Sequence, residues 1–214
     1  RRRMRYILIF ALFICNTLFA QKQAHKAAYL KYDSIASIYH NKDNDQSVFY
    51  SKKALEQAIL LQDSATLKSA YFNVASSLLN QGSFQESLQY WDQVLIYSKT
   101  AYDSARAVNE KGAVSIEAGN PDQALSYFLF ALELINNENS GMKARIYNEI
   151  GLLYRTIGEY EKALEYFKLM SDLKVKLKDK RVYRSHMNIG LILLDLNEYD
   201  SAIKYFNLSY EGMD

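Results

Sequence analysis

The chain has 214 residues, 49% of them hydrophobic, 23% charged and 14% aromatic, and a formal charge of +2. That is enough apolar material for a sizeable core and too much for a disordered chain. One Pro and eight Gly leave too little turn material for a sandwich or barrel of many short strands, and a single Cys excludes both a disulfide framework and a multi-cysteine metal site.

Arg1, Arg2, Arg3 and Arg5 surround Met4, and an apolar run from Tyr6 to Ala20 follows. At about 15 residues, broken by Asn16 and Thr17, the run is shorter than the ~20 that a helix needs to cross a bilayer. The basic start, the short apolar middle and Leu18-Phe19-Ala20 before Gln21 fit a signal peptide over residues 1–20, cleaved after Ala20. With Met4 as the start, Arg1 to Arg3 read as upstream read-through. The alternatives are an uncleaved anchor, and acylation of Cys15, against which bulky Ile14 stands. Loss of the four leader arginines leaves 22 Lys+Arg against 24 Asp+Glu, a charge of −2, so nucleic acid is not an expected partner. The remaining chain has no Cys, which suits an oxidising compartment. The expected location is exported: periplasmic or otherwise extracytoplasmic.

The rest of the chain repeats one unit. Ala75, Gly112, Gly151 and Gly190 form a column of small residues, each followed seven residues later by Gly82, Gly119, Gly158 or Asn197. Phe84, Pro121, Tyr160 and Tyr199 come two further on, and Ser87, Ala124, Ala163 and Ala202 stand twelve past the first column. An aromatic pair closes each unit: Tyr90-Trp91, Tyr127-Phe128, Tyr166-Phe167 and Tyr205-Phe206. Successive units are offset by 37, 39 and 39 residues, and Ile35, Ser47, Tyr50 and Ala54 mark an earlier, degenerate one. Small residues in two columns let antiparallel helices approach closely. Gly or Asn between them suits the left-handed residue that ends a helix, and Pro121 suits a first helical turn. The aromatic pair is expected to point into the groove shared with the next unit.

The pattern resembles the tetratricopeptide repeat, best in Tyr147-Asn-Glu-Ile-Gly-Leu-Leu-Tyr-Arg-Thr-Ile-Gly-Glu-Tyr-Glu-Lys-Ala-Leu-Glu-Tyr-Phe167. The period exceeds the usual ~34 by about one helical turn, so longer helices are expected. The implied fold is all-α, a right-handed α-solenoid of about five helix-turn-helix repeats. Helices are predicted at 25–41, 44–62, 64–81, 84–99, 101–118, 121–137, 140–157, 160–178, 180–196 and 199–211. A degenerate first repeat spans 25–66 and four fuller ones span 67–214. Ile203, Phe206 and Leu208 lack a following unit to cover them, so the array is expected to stop short of its natural end.

No phosphate-binding glycine loop, nucleophile elbow or paired metal-spaced histidines occur. His25, His40 and His186 fall in different helices, and His186 shares a packing column with Tyr71 and Tyr147. No enzyme activity, metal or cofactor is expected. Lys174, Lys176, Lys178 and Lys180 read as a solvated or partner-facing helix end.

One constellation stands out. Arg106, Arg145 and Arg184 recur six residues before the small column, with Ser69 in the earlier unit. The resemblance implies that this position faces a concave groove, where guanidinium forks would grip carboxylates of a protein or peptide ligand. Asn109 and Asn148 lie one turn on, with Phe72 and Met187 in the flanking units, and Arg155, Glu117 and Asp195 further along. The competing reading has each arginine pairing with an acid of the adjoining helix and tethering units together. The lysine and asparagine positions of the family's C-terminal-carboxylate clamp hold Phe72 and Ser76 here. The expected function is protein or peptide binding, and long units behind a signal sequence resemble the periplasmic sensor regions of bacterial signalling proteins. Membrane contact would come only from the leader or from a segment beyond residue 214. The alternatives are a stand-alone periplasmic scaffold and a nutrient-binding surface lipoprotein.

Overall fold

The computed structural model describes residues 2–135 and 140–213. Among them are ten α-helices and no strand: α1 (Arg2–Tyr39), α2 (Asn44–Leu61), α3 (Ser64–Gln81), α4 (Phe84–Ile96), α5 (Ala101–Glu117), α6 (Pro121–Ile135), α7 (Ser140–Thr156), α8 (Tyr160–Lys176), α9 (Val182–Asp195) and α10 (Tyr199–Glu211). From α2 onward the predicted bounds hold to within about three residues.

The exception is α1, which runs unbroken from Arg2 instead of starting near residue 25. No Gly or Pro occurs between these ends, so nothing in the local sequence interrupts the helix. Phe13, Leu18 and Phe19 on it are exposed. No helix among the described residues is long and apolar enough to cross a membrane. Arg1 and the side chain of Cys15 lie outside the described residues.

The helices form two compact units, Arg1–Ser98 and Lys99–Asp214. Within each, every helix packs on its immediate successor, and α5 also touches α7. The core of the first unit joins Val48, Leu55, Leu67, Val74 and Leu78. That of the second includes Phe167, Met170, Ile189, Ile192 and Leu193. No hairpin could bury such a face alone, so stacking supplies the core.

The turn column behaves as its residue types require. Gly82, Gly119, Gly158 and Asn197 take φ of 84°, 76°, 81° and 62°, the left-handed region. At Gly82 the cap is a Schellman motif, Gly82 N–H donating to Leu79 O and Ser83 N–H to Leu78 O. The small column works by contact: a Cβ added to Gly112 would meet Phe128 at 2.4 Å, and one on Gly190 would meet Phe206 at 2.6 Å.

These contacts add to the expected role of the aromatic pair: Phe167 shares a core cluster with Ile189 and Ile192 of the next hairpin and also closes its own. The pair's second ring packs on the glycine of its own hairpin. Its first ring also turns to its own hairpin, Tyr166 lying 6.0 Å from Tyr147 and 5.7 Å from Tyr154 between centroids. At Gly112, Gly151 and Gly190 the missing side chain leaves room for the phenyl ring between the two helices.

Candidate functional site

The arginine column divides. Arg145 Nη2 donates to Glu110 Oε1 at 2.6 Å, bracing α7 against α5. Arg155 Nε donates to Asp195 Oδ2 at 2.8 Å, bracing α7 against α9. Arg106 is half-buried on α5 and has an interaction partner. Arg184 is exposed on α9 and makes no ion pair among the described residues.

The asparagine positions divide as well. Asn148 accepts a hydrogen bond from Asn188 Nδ2 at 3.0 Å, a further link from α9 to α7. Asn109 is 1% exposed, with neither end of its amide hydrogen-bonded, so it lies inside the protein and not on a ligand-facing surface. Met187 is exposed on α9. Phe72 belongs to the first unit, where it meets Trp91 edge-on at 4.9 Å.

Arg145, Asn148 and Arg184 converge on one pocket of about 380 Å³ in the second unit. The end of α8 and the turn after it complete the walls with Lys174, Asp179 and Arg181. Those three were not among the expected groove residues. In sequence Lys174 reads as part of a solvated or partner-facing helix end, and the signal that places it in the wall is its position two residues before the α8 terminus, where a side chain can bend over the adjoining hairpin.

Charge in the pocket is unbalanced. Arg181 Nε and Nη2 each donate to Asp179 at 3.0 Å, and these bonds hold the Asp179 carboxyl below its usual range. Asp179 is therefore already matched. Burial lowers the pKa of Lys174; Asp179 opposes that shift, whereas Arg181 and Arg184 add to it. Lys174 Nζ donates to the Arg181 carbonyl at 3.4 Å and shares Asp179 with Arg181. Besides Arg145, which Glu110 holds, three cations, Lys174, Arg181 and Arg184, therefore line the cavity with one carboxylate, Asp179. Such an arrangement can take a carboxylate, with Asn148 beside it to position a backbone amide.

Glu149 shares α7 with Arg145. Burial raises the Glu149 pKa, Arg145 and Asn148 offset part of that rise, and Glu110 adds to it. Arg145 is thus a guanidinium between two acids, and its bracing role accounts for its geometry. Cross-helix pairs recur at the same spacing in the first unit, where Asn73 Nδ2 donates to Asp33 Oδ1 at 2.6 Å. No group of His, Cys, Asp and Glu among the described residues could hold a metal ion.

Residues 103–169 and 183–211 match family models of the tetratricopeptide repeat. No curated protein matches the chain in sequence. Among solved structures, BtubC (BKLC) from P. vanneervenii superposes with a TM-score of 0.70 at 15% identity, covering 92% of this chain and 91% of that one. MamA from Desulfovibrio magneticus RS-1 gives 0.59 at 19% identity, covering 87% and 95%. A Rap protein complexed with Competence and Sporulation Factor gives 0.69 at 20% identity, covering 86% of this chain but 54% of that one. Stacked helix pairs with this column chemistry define an all-α repeat scaffold for protein interaction, a class that is not typically enzymatic. The chain carries tetratricopeptide repeats, the matched ones lying in α5 to α8 and in α9 and α10.

Proposed function

We propose that the chain is an exported peptide-binding module that serves as the periplasmic sensor part of a signalling protein. One observation carries the binding half: Lys174, Arg181 and Arg184 line the same α7–α8–α9 pocket with Asp179 as the one carboxylate among its lining residues. The ligand is a segment bearing Asp, Glu or a terminal carboxylate, held by these cations and aligned by Asn148. The likeness to a Rap protein complexed with Competence and Sporulation Factor supports a bound factor of that kind as the ligand. Export rests on the arginine-rich start, the short apolar run and the Leu18-Phe19-Ala20 site. A ligand wedged between α7 and α9 would favour one packing of these two hairpins over another and so pass a signal to α10.

The experiment is titration of the full chain with a fluorescein-labelled octapeptide of alternating Asp and Glu. Arg184→Ala should weaken binding about tenfold or more, the loss of one charge-assisted fork. Equal affinity in the wild type and Arg184→Ala rejects the pocket as the seat. Mass spectrometry of the secreted chain should find Gln21 at its N-terminus, and retention of Met4 on cytosolic protein rejects export.

A further inference from the structure

A second pocket, of about 280 Å³, lies in the first unit between α1 and α3, with α2 as its floor. It owes its existence to a departure from the repeat. Sixteen residues after the small column, where Trp91, Phe128, Phe167 and Phe206 stand in the four fuller units, the degenerate unit has Ser51. A hydroxyl therefore faces space that a ring fills elsewhere.

Two of the polar groups there, Asp33 and Ser51, offer acceptor oxygens to the pocket. Ser47 Oγ donates to the carbonyl of Ala36 at 3.4 Å. Ser77 Oγ lies 3.0 Å from Ser47 Oγ and 3.0 Å from Ser51 Oγ. Each hydroxyl has one proton, so the bonds run Ser51 to Ser77 to Ser47 to Ala36. The chain ends on Ser51 with its lone pairs unused, although all three serines are at least 97% buried. Asn73 spends an amide proton on Asp33 Oδ1 at 2.6 Å, and Ser37 spends its own on the Asp33 carbonyl at 3.0 Å. Asp33 is the one carboxylate among the described lining residues, which include no Lys or Arg. Its charge is felt nearby: Tyr29 is pushed up to about 12, first by burial and then by Asp33. Phe72 forms an aromatic wall.

We infer that this pocket binds a primary ammonium on an aliphatic stem, with Asp33 as its counter-ion, Ser51 as a further acceptor and Phe72 against the stem. An ammonium offers three donors and no acceptor, which matches the Asp33 carboxylate and the unused Ser51 lone pairs, and a cation beside an aromatic wall gains further attraction. The group could be carried by a free amine or by a lysine side chain. The inference does not rest on the acidic-peptide reading, whose pocket lies in the other unit.

The test is calorimetric titration of the full chain at pH 8 with n-pentylammonium, n-pentanol, pentanoate and the blocked tripeptide acetyl-Gly-Lys-Gly-amide. Trp91, the single tryptophan, touches Phe72 and gives a fluorescence readout of the same event. Pentylammonium should bind and the alcohol and acid should not. Binding of the tripeptide identifies a lysine side chain as a competent source, and binding of pentylammonium alone identifies a free amine. Asp33→Asn should weaken the ammonium about ten- to a hundredfold, the loss of a charged hydrogen bond, with helicity by circular dichroism unchanged. Ser51→Phe, restoring the ring of the other units, should abolish it. Arg184→Ala should leave it untouched. Pentanol binding as tightly as pentylammonium, or no saturable binding of either amine at millimolar concentrations, overturns the assignment.

Discussion

A Cβ added to Gly151 would lie 2.7 Å from Cε1 of Phe167, closer than two carbons can rest without something moving. Phe167 is 1% exposed and packed among Met170, Ile189 and Ile192, so its ring has nowhere to go. The α7–α8 hairpin thus depends on the absence of one methyl group.

Gly151→Ala should therefore destabilise the protein by about 1–3 kcal/mol, the usual cost of overpacking, even though alanine alone would favour the helix by ~1 kcal/mol. Gly112→Ala should behave alike, because Phe128 is fully buried. Gly190→Ala should cost least, since Phe206 is only half-buried and can shift outward. Urea unfolding of the three variants checks the order, and a cost at residue 190 equal to that at 151 contradicts it.

Turn residues offer the opposite case. Lys178 holds φ of 53° at the end of α8, while Asp179 N–H donates to Lys174 O across the turn. A left-handed lysine costs about 1–2 kcal/mol against its backbone preference, and glycine has no such penalty although it loses more entropy on folding. Lys178→Gly should raise stability by up to about 1 kcal/mol. Gly158→Ala should lower it by about 1 kcal/mol, for conformational reasons alone, because no atom lies within 4 Å of the added methyl. Thermal melts of both variants measure the two signs.

How far these positions were readable beforehand follows from period and contact. Gly112, Gly151 and Gly190 were legible because a small residue recurring at a fixed interval has one economical explanation, close helix approach. The left-handed turns were legible for the same reason at Gly82, Gly119 and Gly158. The extension of α1 through the leader was not, because the apolar run was read for its address and an address does not fix whether the run is helical; the absence of Gly and Pro is the signal that allows it. The arginine column was legible as a column but not as a role: recurrence cannot say that Arg145 meets Glu110, which depends on how α5 and α7 pack. Asn109 was misread for a related reason, since a place one turn beyond Arg106 fits an exposed face and an interior equally well.

That buried asparagine makes a direct prediction. Neither Asn109 Nδ2 nor Oδ1 has a hydrogen-bond partner, so folding loses the hydration of both without replacement. Asn109→Leu, of similar size, should stabilise the protein by about 1–3 kcal/mol, the cost of an unsatisfied buried polar group. Guanidinium unfolding at fixed pH reads it directly, and a destabilised leucine variant would show that the amide is satisfied in solution.

Glu149 sets the expected pH dependence of the second unit. Burial raises its pKa above 4.5, so between 4.5 and the raised value the folded chain holds a proton that the unfolded chain has lost. Stability from this group is therefore full below 4.5 and falls as pH rises through the folded value. Arg145 limits the loss by favouring the charged form, while Glu110, hydrogen-bonded to the same guanidinium at 2.6 Å, works against it. Glu149→Gln should remove this fall and gain stability relative to the wild type as pH rises from 4.5 to 7. Arg145→Ala should steepen the fall, because the two acids then face each other without the cation between them, and should destabilise the protein by about 1–3 kcal/mol at neutral pH. Denaturant titrations at several pH values separate the three chains, and parallel pH profiles for the wild type and Glu149→Gln would mean that Glu149 reaches solvent.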